Sequence, residues 1–175
     1  MTGKQILAQK EIHEHTDRLV GQMLDADKAM DNVVLVGIIT RGVILAERIA
    51  RQIAKRNNIE VAVGSLDTRP YRDDAGADAI EDRSKMPFSI DGRDVILVDD
   101  VLCTGRTVRA AMDALMHHGR PKSIRTAVLI DRGHRELPIT ADFTGVRIPT
   151  ASRERIRVSF AEMDGGKDTA TIVSQ

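Results

Sequence analysis

Two runs, Val33-Val34-Leu35-Val36-Gly37-Ile38-Ile39 and Val95-Ile96-Leu97-Val98, carry no polar side chain. A strand with one wet face alternates apolar and polar residues, so an uninterrupted β-branched run marks a strand covered on both faces, the condition of a parallel sheet. Neither run approaches the roughly 20 apolar residues needed to span a bilayer. Between and around them the period changes. Ile12, Leu19, Val20, Met23 and Leu24 recur at helical spacing within Ile6 to Met30, and Leu45, Ile49 and Ile53 do so within Val43 to Lys55, which Asn57-Asn58 stops. Val108 to His118 places Met112, Leu115 and Met116 inward and closes at Gly119 and Pro121. Further strands are predicted at Ile59 to Leu66 and Ser123 to Ile130, with a short final one at Arg155 to Phe160. Strand, helix and strand alternate, which predicts a doubly wound α/β fold of Rossmann-like type.

The 175 residues suffice for one domain with a single good core. Lysine plus arginine equals aspartate plus glutamate at 26 each, so the chain is no bulk electrostatic coat for nucleic acid. A single cysteine forms no internal disulfide, and Met1 to Lys10 lacks an apolar signal core, so a cytoplasmic protein is expected.

In doubly wound sheets ligands bind beyond the carboxyl ends of the strands. Those ends are Thr40-Arg41-Gly42, Asp67 to Arg72, Asp99 to Thr107 and Asp131-Arg132-Gly133, all rich in Arg, Asp, Thr and Gly. The polar stretch from Asp67 to Pro87 is long for a compact domain, and such loops are either functional or plain solvated connections. In the third segment an apolar strand runs into Asp99-Asp100, read as the start of a loop, and Thr104-Gly105-Arg106-Thr107 enters a helix. A helix N-terminus offers unpaired N–H groups and partial positive charge to a phosphate. Gly105 lets the backbone approach, and the Thr104 and Thr107 hydroxyls add donors. The paired acids suit hydroxyl groups or a divalent metal, although alone they would equally fit a turn-capping strand end. A phosphate with a diol beside it is a ribose 5-phosphate.

The segment Val95-Ile96-Leu97-Val98-Asp99-Asp100-Val101-Leu102-Cys103-Thr104-Gly105-Arg106-Thr107 resembles the phosphoribosyl pyrophosphate signature of type I phosphoribosyltransferases. Val36 to Gly42, Pro70-Tyr71-Arg72-Asp73-Asp74, Val108 to Leu115 and above all Asp131-Arg132-Gly133-His134-Arg135-Glu136-Leu137-Pro138 resemble one branch, the PyrR family of pyrimidine operon attenuators with uracil phosphoribosyltransferase activity. The resemblance implies one phosphoribosyltransferase domain over 1–175, with a core at about 30–132, a mobile loop at 67–87 and a hood at about 133–160. It implies that Asp99 and Asp100 hold the ribose hydroxyls directly or through Mg²⁺, within a phosphoribosyl pyrophosphate and UMP site running from Val98 through Val101, Leu102 and Cys103 to Thr107. Thr104 to Thr107 would cradle the 5-phosphate, while Thr40, Arg41 and Gly42, with Arg72 from the loop, would take the pyrophosphate. Asp131 and Arg132 would lie on the uracil side. Cys103 reads as a small filler rather than a nucleophile.

The resemblance further implies a homodimer or larger assembly, no membrane, and a basic face binding leader mRNA of the pyrimidine operon in response to UMP. Arg18, His134, Arg135 and Arg147 are the candidate RNA residues, with the alternating Arg153, Arg155 and Arg157 as a further patch or plain surface. Asp17, Gly21, Thr140 and Val146 stand where relatives often carry basic or hydrogen-bonding groups, so salvage catalysis without RNA binding is the alternative; a scaffold or an orotate-specific transferase fits less well.

Overall fold

The computed structural model describes residues 3–74 and 80–174. The chain runs β1 (Lys4–Leu7), α1 (Gln9–Ala26), β2 (Val33–Ile38), α2 (Arg41–Asn57), β3 (Ala62–Leu66), one 3-10 turn (Arg69–Tyr71), β4 (Asp94–Leu102), α3 (Arg106–His118), β5 (Ser123–Asp131), β6 (Phe143–Arg147), β7 (Glu154–Ser159), α4 (Ala161–Asp164) and β8 (Thr169–Ser174). Strands β3-β2-β4-β5-β6 form a five-stranded parallel sheet, and β1-β8-β7 form a separate antiparallel sheet of three.

The continuous apolar runs have the predicted cause. Val33 and Leu35 of β2 and Ile96 and Val98 of β4 enter a core shared with α1 and α2. Their neighbours Val34, Val36 and Ile38, with Val95 and Leu97, enter a second core on the opposite face beneath α3. Period-2 alternation therefore sends each side chain to one of two dry faces.

Sheet order creates the crevice. From β2 the chain winds outward to β3, then returns to lay β4 on the other side of β2. β2 pairs with β4 only as far as Gly37 opposite Val98. From Asp99 onward β4 is held by β5 alone, with Val101 opposite Ile130 and Leu102 opposite Asp131. This is the topological switch point, where such sheets bind ligands. It also revises the sequence reading: Asp99 to Leu102 are strand rather than loop, because β5 continues the ladder beside them.

Three other expectations change. The first helix begins at Gln9, because Gln5 and its neighbours pair with β8; the Glu11 carboxylate then accepts the Ala8 N–H at 2.7 Å. The strand at Glu154–Ser159 is not the last, since β8 follows and pairs along its length. The stretch 133–160 is not one unit either. Phe143–Arg147 is the edge of the main sheet, with Phe143 buried in the first core, and only Glu154–Ser159 joins the second sheet, which β1 and β8 complete from the chain ends. Of the loop at 67–87, positions 75–79, including Gly76 and Asp78, lie outside the described residues.

Candidate active site at the strand ends

The start of α2 lies directly on the sheet. A side chain at Gly42 would run into the Val98 carbonyl oxygen, and one at Gly37 into the Val43 backbone. The two glycines bring Thr40 and Arg41 beside the acidic end of β4. The Ile39–Thr40 peptide is cis. The result is a cavity of about 460 Å³ lined by Thr40, Arg41, Thr68, Arg69, Arg72, Asp99, Asp100, Val101 and Thr107, together with Ile38 and Ile39. Three strand ends and the first turn of α3 thus converge as the sequence predicts. Asp131 and Arg132 lie one strand further over and do not line it.

Asp99 and Asp100 are the electrostatic feature of this cavity. Burial pushes the Asp99 carboxyl well above the usual carboxylate range, and the adjacent Asp100 pushes it further. Burial raises Asp100 too, while its hydrogen bond with Asp99 and the charge of Arg41 pull it back. The Asp100 N–H donates to Asp99 Oδ1 at 2.9 Å. A buried and a half-buried acid side by side with so little compensation call for hydroxyl donors or a cation. Among the described residues no group of three or more His, Cys, Asp or Glu gathers to hold a metal ion. A pair of carboxylates fits Mg²⁺, which keeps water and ligand oxygens as most of its shell.

At the start of α3, Gly105 adopts φ +91°, and a Cβ there would sit 3.2 Å from Ile139 Cβ. This left-handed residue turns the chain into the helix. Thr104 Oγ1 accepts the Arg106 N–H at 3.2 Å. The loop from Asp131 to Ile139 packs straight onto this turn. The Thr104 carbonyl accepts the N–H groups of Glu136 and Leu137 at 3.0 and 3.1 Å. Arg135 donates to the Cys103 carbonyl at 2.8 Å, the Ile139 carbonyl at 2.8 Å and the Asp131 carboxylate at 2.6 Å. Arg132 is buried and donates to Thr150 Oγ1 at 2.6 Å. Cys103 is a half-buried free thiol.

The loop after β3 is pinned at both feet. Buried Asp67 takes the Arg69 guanidinium on both oxygens and the Arg83 N–H at 3.3 Å; the ion pair with Arg69 holds its carboxyl down to about 2. Asp67 itself donates its N–H to Ser84 Oγ at 2.8 Å. Further along, Arg72 pairs with Asp74 at 2.7 Å and reaches Thr107 Oγ1 at 3.5 Å. Arg106 pairs with Asp73 and with Glu136. Thr68 and Arg69 are cavity residues the sequence reading did not assign. The only sequence signal for them was their place just beyond a strand end.

The candidate RNA residues are dispersed. Arg18 donates to the Gly145 carbonyl at 3.1 Å, and the Gln22 amide exchanges two hydrogen bonds of 3.0 Å with the Thr144 backbone. Together they cap the open edge of β6. Arg147, exposed, shares a cavity of about 450 Å³ with Arg18. His134 Nε2 lies 2.6 Å from the Thr150 carbonyl, and Arg135 is turned inward as described. Asp17 pairs with Arg56 at 2.8 Å. Arg153, Arg155 and Arg157 are exposed on or beside β7.

The phosphoribosyl transferase domain family matches residues 2–161. The chain belongs to that family. Proteins named "Bifunctional protein PyrR" are similar over nearly all of it: that of Streptococcus uberis is 49% identical over 173 residues, 99% of this chain and 98% of the relative. That of Lactococcus lactis subsp. cremoris is 47% identical over 165 residues, 94% of each chain. Among solved structures, the hypoxanthine phosphoribosyltransferase of Trypanosoma cruzi superposes with a TM-score of 0.74 at 18% identity, covering 98% of this chain and 96% of that one. A hypoxanthine-guanine phosphoribosyltransferase of Bacillus anthracis gives 0.74 at 20%, covering 98% and 97%. These last two likenesses establish the fold. Among the described residues no helix is long and apolar enough to cross a membrane.

Proposed function

We propose that this phosphoribosyltransferase joins uracil to phosphoribosyl pyrophosphate, giving UMP and pyrophosphate, and that in the cytoplasm it also acts as a UMP-responsive regulator binding leader mRNA of a pyrimidine operon. The observation that carries the enzymatic reading is that Asp99 and Asp100 line one cavity with Arg41, Arg72 and Thr107. Asp99 and Asp100 accept the ribose hydroxyls, which supplies the compensation their burial requires. Backbone N–H groups of Thr104 to Thr107 receive the 5-phosphate. Thr40, Arg41 and Arg72 hold the pyrophosphate. As the uracil N1 bond to C1 forms and the C1–oxygen bond breaks, negative charge gathers on the leaving group, where fixed cations stabilise it most. Asp99 and Asp100 would hold Mg²⁺, which would supply further neutralisation of that charge. Closure of the loop after β3 excludes water from the oxocarbenium-like centre. Asp131 and Arg132 border the base.

The regulatory half rests on the relatives called bifunctional and on the cavity shared by Arg18 and Arg147. A homodimer would double those cations. One assay tests the enzymatic reading: product formation from phosphoribosyl pyrophosphate and Mg²⁺ with uracil, hypoxanthine or orotate offered separately. UMP alone is expected, and turnover of either other base in preference to uracil overturns the assignment.

A further inference from the structure

Arg41 does not reach the cavity as a free side chain. Its Nε donates to the Val158 carbonyl at 2.5 Å, and its Nη2 meets both oxygens of Asp164 at 3.1 and 3.3 Å. Both partners come from the C-terminal hairpin, more than a hundred residues away in sequence and outside the strand ends that form the site. Asp164 is itself held, since its Oδ2 accepts the Phe160 N–H at 3.1 Å and its own N–H donates to the Phe160 carbonyl at 2.8 Å. The ion pair is mostly shielded, with 23% of the Arg41 side chain and 21% of the Asp164 side chain exposed. Arg41 also lines the same cavity as Asp100, and its charge acts on that carboxyl.

A second arginine docks the same hairpin independently. Arg48 lies seven residues on, two turns along the same face of α2. It pairs with Glu162 at 2.5 Å and Asp168 at 2.5 Å and lies over the Phe160 ring at 4.6 Å. Breaking the Arg41 contact therefore leaves the hairpin anchored. An unrestrained arginine has many rotamers to lose when it meets a ligand, and fixing it beforehand removes that cost.

We propose that Asp164 is a positioning residue for the reaction: it orients the Arg41 guanidinium towards the pyrophosphate without touching substrate. This rests on the reading of Arg41 as a pyrophosphate contact. The test compares Asp164→Ala, Asp164→Glu, Arg41→Ala and Glu162→Gln by steady-state kinetics in both directions and by UMP titration. Asp164→Ala should raise KM for phosphoribosyl pyrophosphate, and for pyrophosphate in the reverse reaction, by about tenfold, the scale of one charge-assisted hydrogen bond. UMP affinity should stay within about twofold, because UMP carries no pyrophosphate. Asp164→Glu should recover most of the loss, and Glu162→Gln, which loosens the Arg48 and Arg51 contacts but not the Arg41 one, should match the parent chain. Parent-like kinetics in Asp164→Ala while Arg41→Ala loses turnover would overturn the proposal alone. Equal weakening of UMP and pyrophosphate would reduce Asp164 to a structural role and also overturn it. If Arg41→Ala turns over normally, the reading of Arg41 fails and the proposal falls with it.

Discussion

Replacing Asp99 by Asn should make the unliganded protein more stable and the liganded one useless. Asp99 is buried, and both burial and Asp100 push its carboxyl well above the usual range. A folded-state pKa raised above the unfolded value stabilises fully only below the unfolded pKa, near 4, and that contribution is lost as pH rises towards the folded pKa. At neutral pH the native fold therefore bears a cost that asparagine removes. Each unit of elevation is worth about 1.4 kcal/mol, and for a chain of this size 1 kcal/mol moves Tm by roughly 2–4 °C. The substitution is nearly isosteric, and the asparagine carbonyl oxygen can still accept the Asp100 N–H that Oδ1 accepts at 2.9 Å. Thermal unfolding without ligand should thus give a higher Tm for Asp99→Asn at pH 7.5 and a smaller gain at pH 5. Titration with phosphoribosyl pyrophosphate and Mg²⁺ should show binding weakened by at least about tenfold, as expected when a charged hydrogen-bond partner is removed. A variant that is less stable at pH 7.5 than at pH 5 relative to the parent, or that keeps full affinity, would refute the reasoning.

Arg72→Ala should reduce turnover by about tenfold or more and change UMP affinity little, since UMP offers no pyrophosphate to a cation; equal losses in kinetics and UMP titration would contradict this. Asp67→Asn should destabilise the fold by about 1–3 kcal/mol, because Asp67 is buried and accepts Arg69 and the Arg83 N–H; denaturant unfolding measures it. The Asp67 part of the stability should be present above about pH 4 and fade as pH falls towards about 2, its folded pKa. Leader RNA binding should be salt-dependent with a shallow slope, which Arg147→Ala lowers by about one unit. Arg135→Ala should impair uracil turnover as well, because Arg135 ties Asp131 to the Cys103 carbonyl.

The central strands of the main sheet were legible because burial on both faces leaves an unmistakable run, as in Val33 to Ile39, whereas the edge strand Phe143–Arg147 was not, being short and only partly buried. The turn from β4 into α3 was legible because its residues are local: Asp99-Asp100 and Thr104 to Thr107 lie within nine consecutive residues. The second sheet was not, because Lys4–Leu7 and Thr169–Ser174 are short, partly exposed and paired across almost the whole chain. No local period announces such a pairing. Arg18 and Arg135 read as available cations, yet their guanidinium groups satisfy the Gly145, Cys103 and Ile139 carbonyls. Which acceptor an arginine meets is decided by tertiary contacts, and the same is true of Arg41 and Asp164.

The most direct test of the phosphoribosyl site is a crystal structure with UMP. The 5-phosphate is expected on the backbone N–H groups of Thr104 to Thr107, the ribose hydroxyls on Asp99 and Asp100, and the uracil ring towards Asp131 and Arg132. UMP bound away from the crevice between β2 and β4, or with its phosphate against the two aspartates, would contradict it.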